Sequence, residues 1–109
     1  MDPEQILQIT ADAFRIPKGT LFGGRRTLYR TQVRWTAAHL LRRTGQYSYA
    51  DIARVLKYRD HTSARSAVLA IRERMRENVY LRDKIKALEV ELRLPAEIIN
   101  QEAPKGADP

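Results

Sequence analysis

Apolar residues recur along this chain at helical spacing, and a proline, a glycine or a capping residue cuts each such stretch short, which confines the fold to short helices around one core. The first stretch opens with Asp2 as N-cap, Pro3 at the first helical position and Gln5 three residues after the cap, and it carries Ile6, Ile9, Ala13 and Phe14. Ile16 to Gly19 stops it. Thr20 is expected to cap a single turn around Leu21 and Phe22, and Gly23 and Gly24 open a flexible turn into Arg25 and Arg26. From about Thr31 to Arg43, Val33, Ala37, Leu40 and Leu41 make one apolar stripe, which Gly45 ends. Ser48 to Asp51 has the form of a capping box and starts a short helix with Ile52, Ala53 and Leu56, broken at Lys57 to Arg59. Ala64, Val68, Ile71 and Met75 then share a face, with Thr62 and Ser66 opposite and Arg65 on the flank. Asn78 caps a last stripe of Leu81, Ile85, Leu88 and Leu92, closed by Pro95. The expectation is an all-α, compact bundle of five to six short helices spanning residues 1–94. Residues 95–109 form a tail, with one further turn at Ala96 to Gln101 and disorder from Glu102 to Pro109.

A single core of this kind suits 109 residues without staples. Cysteine is absent, which removes disulfides and thiolate metal sites. The N-terminus is acidic where a secretory signal would be basic, and no apolar run approaches the roughly 20 residues a bilayer span requires. A soluble, cytoplasmic, nucleoid-associated protein is expected. The histidines His39 and His61 lie far apart in sequence, the basic region has no close acidic pair, and no nucleophile comes with a base, so neither an enzyme nor a cofactor or metal is expected.

The charge distribution points to a polyanion. Net charge is +7, with 20 Lys and Arg against 13 Asp and Glu. No acidic residue occurs from Ala13 to Ala50, which holds Arg15, Lys18, Arg25, Arg26, Arg30, Arg34, Arg42 and Arg43, whereas the last quarter is net acidic. Arginine predominates over lysine, which favours forked contacts to phosphate oxygens and guanine edges. Two helices separated by three or four residues across Lys57 to Asp60 have the helix-turn-helix layout.

Within that unit, residues 52 to 71 read IARVLKYRDHTSARSAVLAI, with Ile52, Ala53, Leu56, Arg59, Asp60, His61, Thr62, Ser63 and Ala67 at signature positions. The chain here resembles the C-terminal DNA-binding domain of the bacterial replication initiator DnaA, from about Gln5 to Leu92. The resemblance implies a Trp-repressor-like bundle whose second motif helix enters the major groove of an asymmetric DnaA-box-like site in double-stranded DNA. It implies base reading by Asp60, His61 and Thr62, with Arg65 beside them, and a minor-groove contact by Arg26. Arg25, Arg34, Arg42, Arg59, Ser63 and Ser66 would hold phosphates, positioning the protein while the base readers specify. Ala64 stands where that family has a larger aliphatic residue, Trp35 where it has a backbone-contacting Gln, Ser66 where it has a His, and Lys57-Tyr58 where it has a Gly-rich turn, so the sequence read is a separate question. No Gly-rich phosphate loop ending in Gly-Lys-Ser or Gly-Lys-Thr occurs, and these residues are expected neither to hydrolyse ATP nor to melt an origin. The expected function is sequence-specific DNA binding that regulates replication initiation or transcription.

Several residues carry two readings. Asp60 suits both an N-cap and a base contact. Tyr47, Tyr49 and Tyr58 suit core edges or phosphate donors, with the core favoured for Tyr49. Trp35 and His39 lie off the Val33 to Leu40 stripe, and so belong to a DNA-side surface, a partner patch or the underside of a neighbouring helix. The alternative function is a protein-interaction module whose DNA surface has been repurposed, with Trp35 and Leu69 as exposed apolar contacts.

Overall fold

In a computed structural model, which describes residues 2–22 and 27–94, five α-helices and one 3-10 turn enclose a single core. Arg25, Arg26 and the tail from residue 95 onward lie outside the described residues.

Helix α1, Pro3–Ala13, starts as its sequence requires: the Asp2 carboxylate accepts from the Glu4 N–H at 3.1 Å, and the Gln5 side chain accepts from the Asp2 N–H at 3.1 Å. The 3-10 turn Lys18–Leu21 follows. Thr20 does not cap it. The turn already begins after Pro17, so Thr20 lies inside it and its hydroxyl donates to the Pro17 carbonyl at 2.7 Å.

Helix α2, Leu28–Arg43, begins three residues before the expected Thr31, because Thr27 caps it by accepting from the Arg30 N–H at 3.1 Å. This helix is the centre of the molecule, packed against α1, the 3-10 turn and the two helices of the motif. Thr36, Ala38 and His39 are buried along with the expected Val33, Ala37, Leu40 and Leu41, so burial runs around most of the helix instead of along one stripe. Small side chains at Ala37 and Ala38 let neighbouring helices approach, and the Thr36 hydroxyl is satisfied within the helix by the Gln32 carbonyl at 2.8 Å.

Helices α3, Tyr49–Leu56, and α4, His61–Glu77, form the motif, and α5, Val79–Glu91, closes over its back. The Ser48–Asp51 capping box is complete: the Asp51 N–H donates to the Ser48 hydroxyl at 3.1 Å and the Ser48 N–H to the Asp51 carboxylate at 3.0 Å. Asn78 alone separates α4 from α5; its extended backbone ends one helix, and its side chain accepts from the Leu81 N–H at 3.0 Å to start the next. Ile6, Leu7, Leu40, Leu41, Ile52, Leu56, Val68, Ile71 and Ile85 are fully buried, and Leu88 and Leu92 nearly so.

His39 is packed beneath α5, which resolves its three readings. It is 2% exposed, and its Nε2 lies 2.8 Å from Glu89 Oε2. Arg72 Nε donates to the other ring nitrogen, Nδ1, at 3.3 Å, and because an arginine can only donate, Nδ1 accepts and Nε2 carries the proton given to Glu89. Arg43 Nη2 stands 3.6 Å from the other Glu89 oxygen. Burial pushes the Glu89 carboxyl up, but the His39 hydrogen bond and the charges of Arg43 and Lys86 outweigh it, and the net shift is below the usual range.

Candidate nucleic-acid interface

The motif turn, Lys57–Asp60, is fastened to α2. Lys57 adopts φ 61°, a left-handed conformation that ends α3 and costs a residue with a β-carbon about 1 kcal/mol. Arg34 of α2 reaches across to it: Nη2 donates to the Leu56 carbonyl at 2.7 Å and to the Lys57 carbonyl at 3.0 Å, satisfying acceptors that the end of α3 leaves open. The guanidinium also lies over Tyr58, its Cζ 4.1 Å from the ring centroid. Arg42, two turns along α2, does the same at the other end of α3, donating to the Tyr47 carbonyl at 3.2 Å and covering Tyr49 at 4.1 Å. Both arginines were expected at phosphates. They use donors to fasten the motif to α2, which leaves phosphate contact to their remaining donors. The tyrosines beneath them are partly buried against the core.

Helix α4 is fixed at its first residue. Asp60 Oδ1 accepts from the Ser63 N–H at 2.9 Å and the Ser63 hydroxyl at 3.2 Å, and the Ser63 N–H is the main reason the Asp60 carboxyl titrates below its ordinary value, with the Arg59 charge adding to it. The capping reading of Asp60 is therefore realised, and its second carboxylate oxygen, 3.8 Å from Arg59 Nε, stays exposed. Beyond the cap, α4 divides cleanly. Ala64, Ala67, Val68 and Ile71 are buried, while His61, Thr62, Arg65, Ser66 and Leu69 are exposed on the opposite side. The structure thus brings the expected base readers Asp60, His61, Thr62 and Arg65 together at one end of one helix, with Ser66 on the same face and Ser63 turned back to the cap. The other expected base reader, Arg26, and its neighbour Arg25 lie outside the described residues.

A cleft of about 560 Å³ opens between α2 and the motif turn. Thr31, Arg34 and Trp35 form its α2 wall; Lys57, Tyr58, Arg59 and Ser63 form the other. Arg59 was expected at the interface. Thr31 and Lys57 were not, because nothing in their local sequence marks them; only the crossing of α2 under the turn places them beside Arg59. Among the described residues no group of three or more His, Asp or Glu side chains could hold a metal ion, and no helix is long and apolar enough to cross a membrane.

No curated protein matches the chain. The family described as bacterial DnaA protein helix-turn-helix matches residues 3–71, which takes in α1, α2, α3 and α4 as far as Ile71 but not α5. With well over half of its 109 residues so matched, the chain belongs to the bacterial DnaA helix-turn-helix family.

Proposed function

We propose that the chain binds double-stranded DNA sequence-specifically at a DnaA-box-like site, with the N-terminal turns of α4 in the major groove. The observation that carries this reading is the division of α4: a capped, firmly packed helix presents His61, Thr62, Arg65 and Ser66 outward, none of which the fold uses. Asp60, His61, Thr62 and Arg65 read bases, and Arg26 enters the adjacent minor groove. Arg59, Ser63, Ser66 and Arg25 hold phosphates, joined by the outward donors of Arg34 and Arg42. The family is a DNA-binding helix-turn-helix one, and these 109 residues supply the DNA contacts and no phosphate loop of their own. Occupancy of such sites makes the protein a regulator of replication initiation or transcription, in a nucleoid setting.

The test is selection of bound duplexes from a random library, followed by anisotropy of the selected duplex over a salt series. A sequence motif should emerge, and log affinity should fall by about 0.9 per log unit of salt for each phosphate neutralised. Recovery of no motif, together with a flat salt response, overturns the reading. It would favour the protein-interaction alternative, for which the relevant observation is Leu69, an apolar side chain 44% exposed on the outward face of α4.

A further inference from the structure

Helix α5 has a second face that the core does not use. Leu81, Ile85, Leu88 and Glu89 turn inward, while three of the six exposed large apolar side chains among the described residues, Val79, Tyr80 and Val90, stay on its outer side. Val79 is 53% exposed and Val90 75%. They stand eleven positions apart, about three turns, so both fall on one line along the helix. Asp83, four positions after Val79, and Lys86, four before Val90, fall between them on the same line. Arg82 reaches only one Asp83 oxygen, at 3.3 Å, and Lys86 has no ion-pair partner among the described residues, although its charge acts on Glu89.

The order Val79, Asp83, Lys86, Val90 is its own complement when reversed. Two such helices laid antiparallel about a twofold axis set Val79 of each copy against Val90 of the other, and Asp83 of each against Lys86 of the other. Laid parallel, they would oppose like charges. Charge also selects the occupant. Helix α5 carries Arg82, Lys84 and Lys86 against Asp83, Glu89 and Glu91, and so is neutral within a chain of net charge +7. A polyanion is not drawn to a neutral face, whereas a second copy meets here no net repulsion of the kind that α2, with four arginines and no acid, would present. The face begins beyond the 17 residues of α4, about 25 Å along that helix from His61, so its pairing leaves the outward end of α4 free.

We propose that the outer face of α5 joins two copies of this chain as an antiparallel, twofold-symmetric pair, with valines at its two ends and crossed Asp83–Lys86 ion pairs at its centre. The pairing goes beyond the DNA-binding reading and does not depend on it. It is weak, because a helix of 13 residues is about 20 Å long and buries less than the roughly 1,200 Å² of a standard interface.

Sedimentation equilibrium of the full chain tests it. The mass should rise from monomer to dimer and no further, with a dissociation constant of about 100 μM. Asp83→Lys alone sets lysine against lysine at both crossings, and Lys86→Asp alone sets carboxylate against carboxylate, so each should weaken self-association about tenfold or more. Mixing the two variants restores opposite charges at both crossings, and a heterodimer should form as readily as the wild-type pair. Val90→Ser, at a side chain outside the core, should weaken the pair about tenfold while melting as wild type does. Because Lys86 acts on Glu89, Lys86→Asp should melt below wild type; if it fails to fold, Asp83→Lys and Val90→Ser, at exposed side chains, carry the test. A wild type that stays monomeric at about 1 mM overturns the proposal and leaves the face to another occupant, such as residues 95–109. A dimer that Asp83→Lys and Val90→Ser leave intact is built on a different surface and overturns it too, as does a mixture of the folded charge variants that fails to pair. Growth of the mass beyond a dimer contradicts the closed twofold arrangement.

Discussion

An arginine in a basic chain either meets the partner's phosphates or meets the protein's own carbonyls, and the two uses have different signatures on mutation. Arg34 is of the second kind at Leu56 and Lys57, where its Nη2 holds two carbonyls at the left-handed end of α3. Hydrogen bonds from a charged donor to a partly buried acceptor are worth about 1.5 to 3 kcal/mol, and Arg34→Ala should lower stability by about that amount in chemical denaturation without DNA. Arg34→Lys should recover little, because an ammonium can neither fork across two carbonyls nor stack on Tyr58. Full stability of Arg34→Ala would mean that these two carbonyl bonds do not fasten the turn. The sequence could not separate these uses: every residue carries a carbonyl, and the ones that matter lie 22 and 23 positions away, brought to Arg34 only by the crossing of α2 and α3. The placement of Asp60, His61 and Thr62 was legible because it depends on position along one helix. A cap and the residues after it follow from local spacing, and the cap of α4 is where the sequence places it.

Among the elements, those that begin at a capping signal are the ones the sequence locates well. The capping boxes at Asp2 and Ser48 and the caps Asp60 and Asn78 all do what their side-chain chemistry demands. Helix α2 is the exception in extent and in burial. Its cap, Thr27, follows the glycine-arginine segment and was hidden in what reads as a continuous loop, and its burial on several sides cannot be inferred from a stripe of four apolar residues when Thr36 and His39 are buried as well. Helix α5 lies beyond the family match, and besides its leucines it is tied to α2 by Glu89, which joins His39 and stands beside Arg43. Since the Glu89 carboxyl titrates below its ordinary value of 4.5 in the folded protein, its ionised form favours folding. That stability is complete above the unfolded-state value and is lost as pH falls through the folded one. Glu89→Gln should therefore be less stable than wild type at neutral pH, by about 1 to 3 kcal/mol, and the gap should narrow as pH is lowered below about 4.5. Thermal melts of both proteins from pH 7 to pH 3 measure this, and a gap independent of pH would mean that Glu89 is not ionised against His39.

For the molecule as a whole, the buried core of the described residues extends to Leu92, and the charge is divided along the chain with the acid-free stretch from Ala13 to Ala50 running through α2. Deleting residues 102–109 should leave the melting temperature unchanged. A truncation that removes Leu88 and Leu92 should unfold the protein at ordinary temperatures, because each buried leucine contributes about 2 to 5 kcal/mol; equal melting of the two truncations would contradict the assignment of α5 to the core. What the whole assembly achieves is to spend its apolar residues, its caps and two of its arginines on holding α4 still, so that His61 and its neighbours project from a rigid support. The central claim, that this end of α4 reads bases, is tested most directly by the ratio of affinities for the selected duplex and for random duplex at one salt concentration, in wild type and in His61→Ala. Loss of a base contact should cost about 1 to 3 kcal/mol on the selected site and far less on random DNA, so the ratio should fall by the same factor. A ratio that His61→Ala leaves unchanged, in a protein that still folds, would show that α4 does not read the sequence of the DNA it meets.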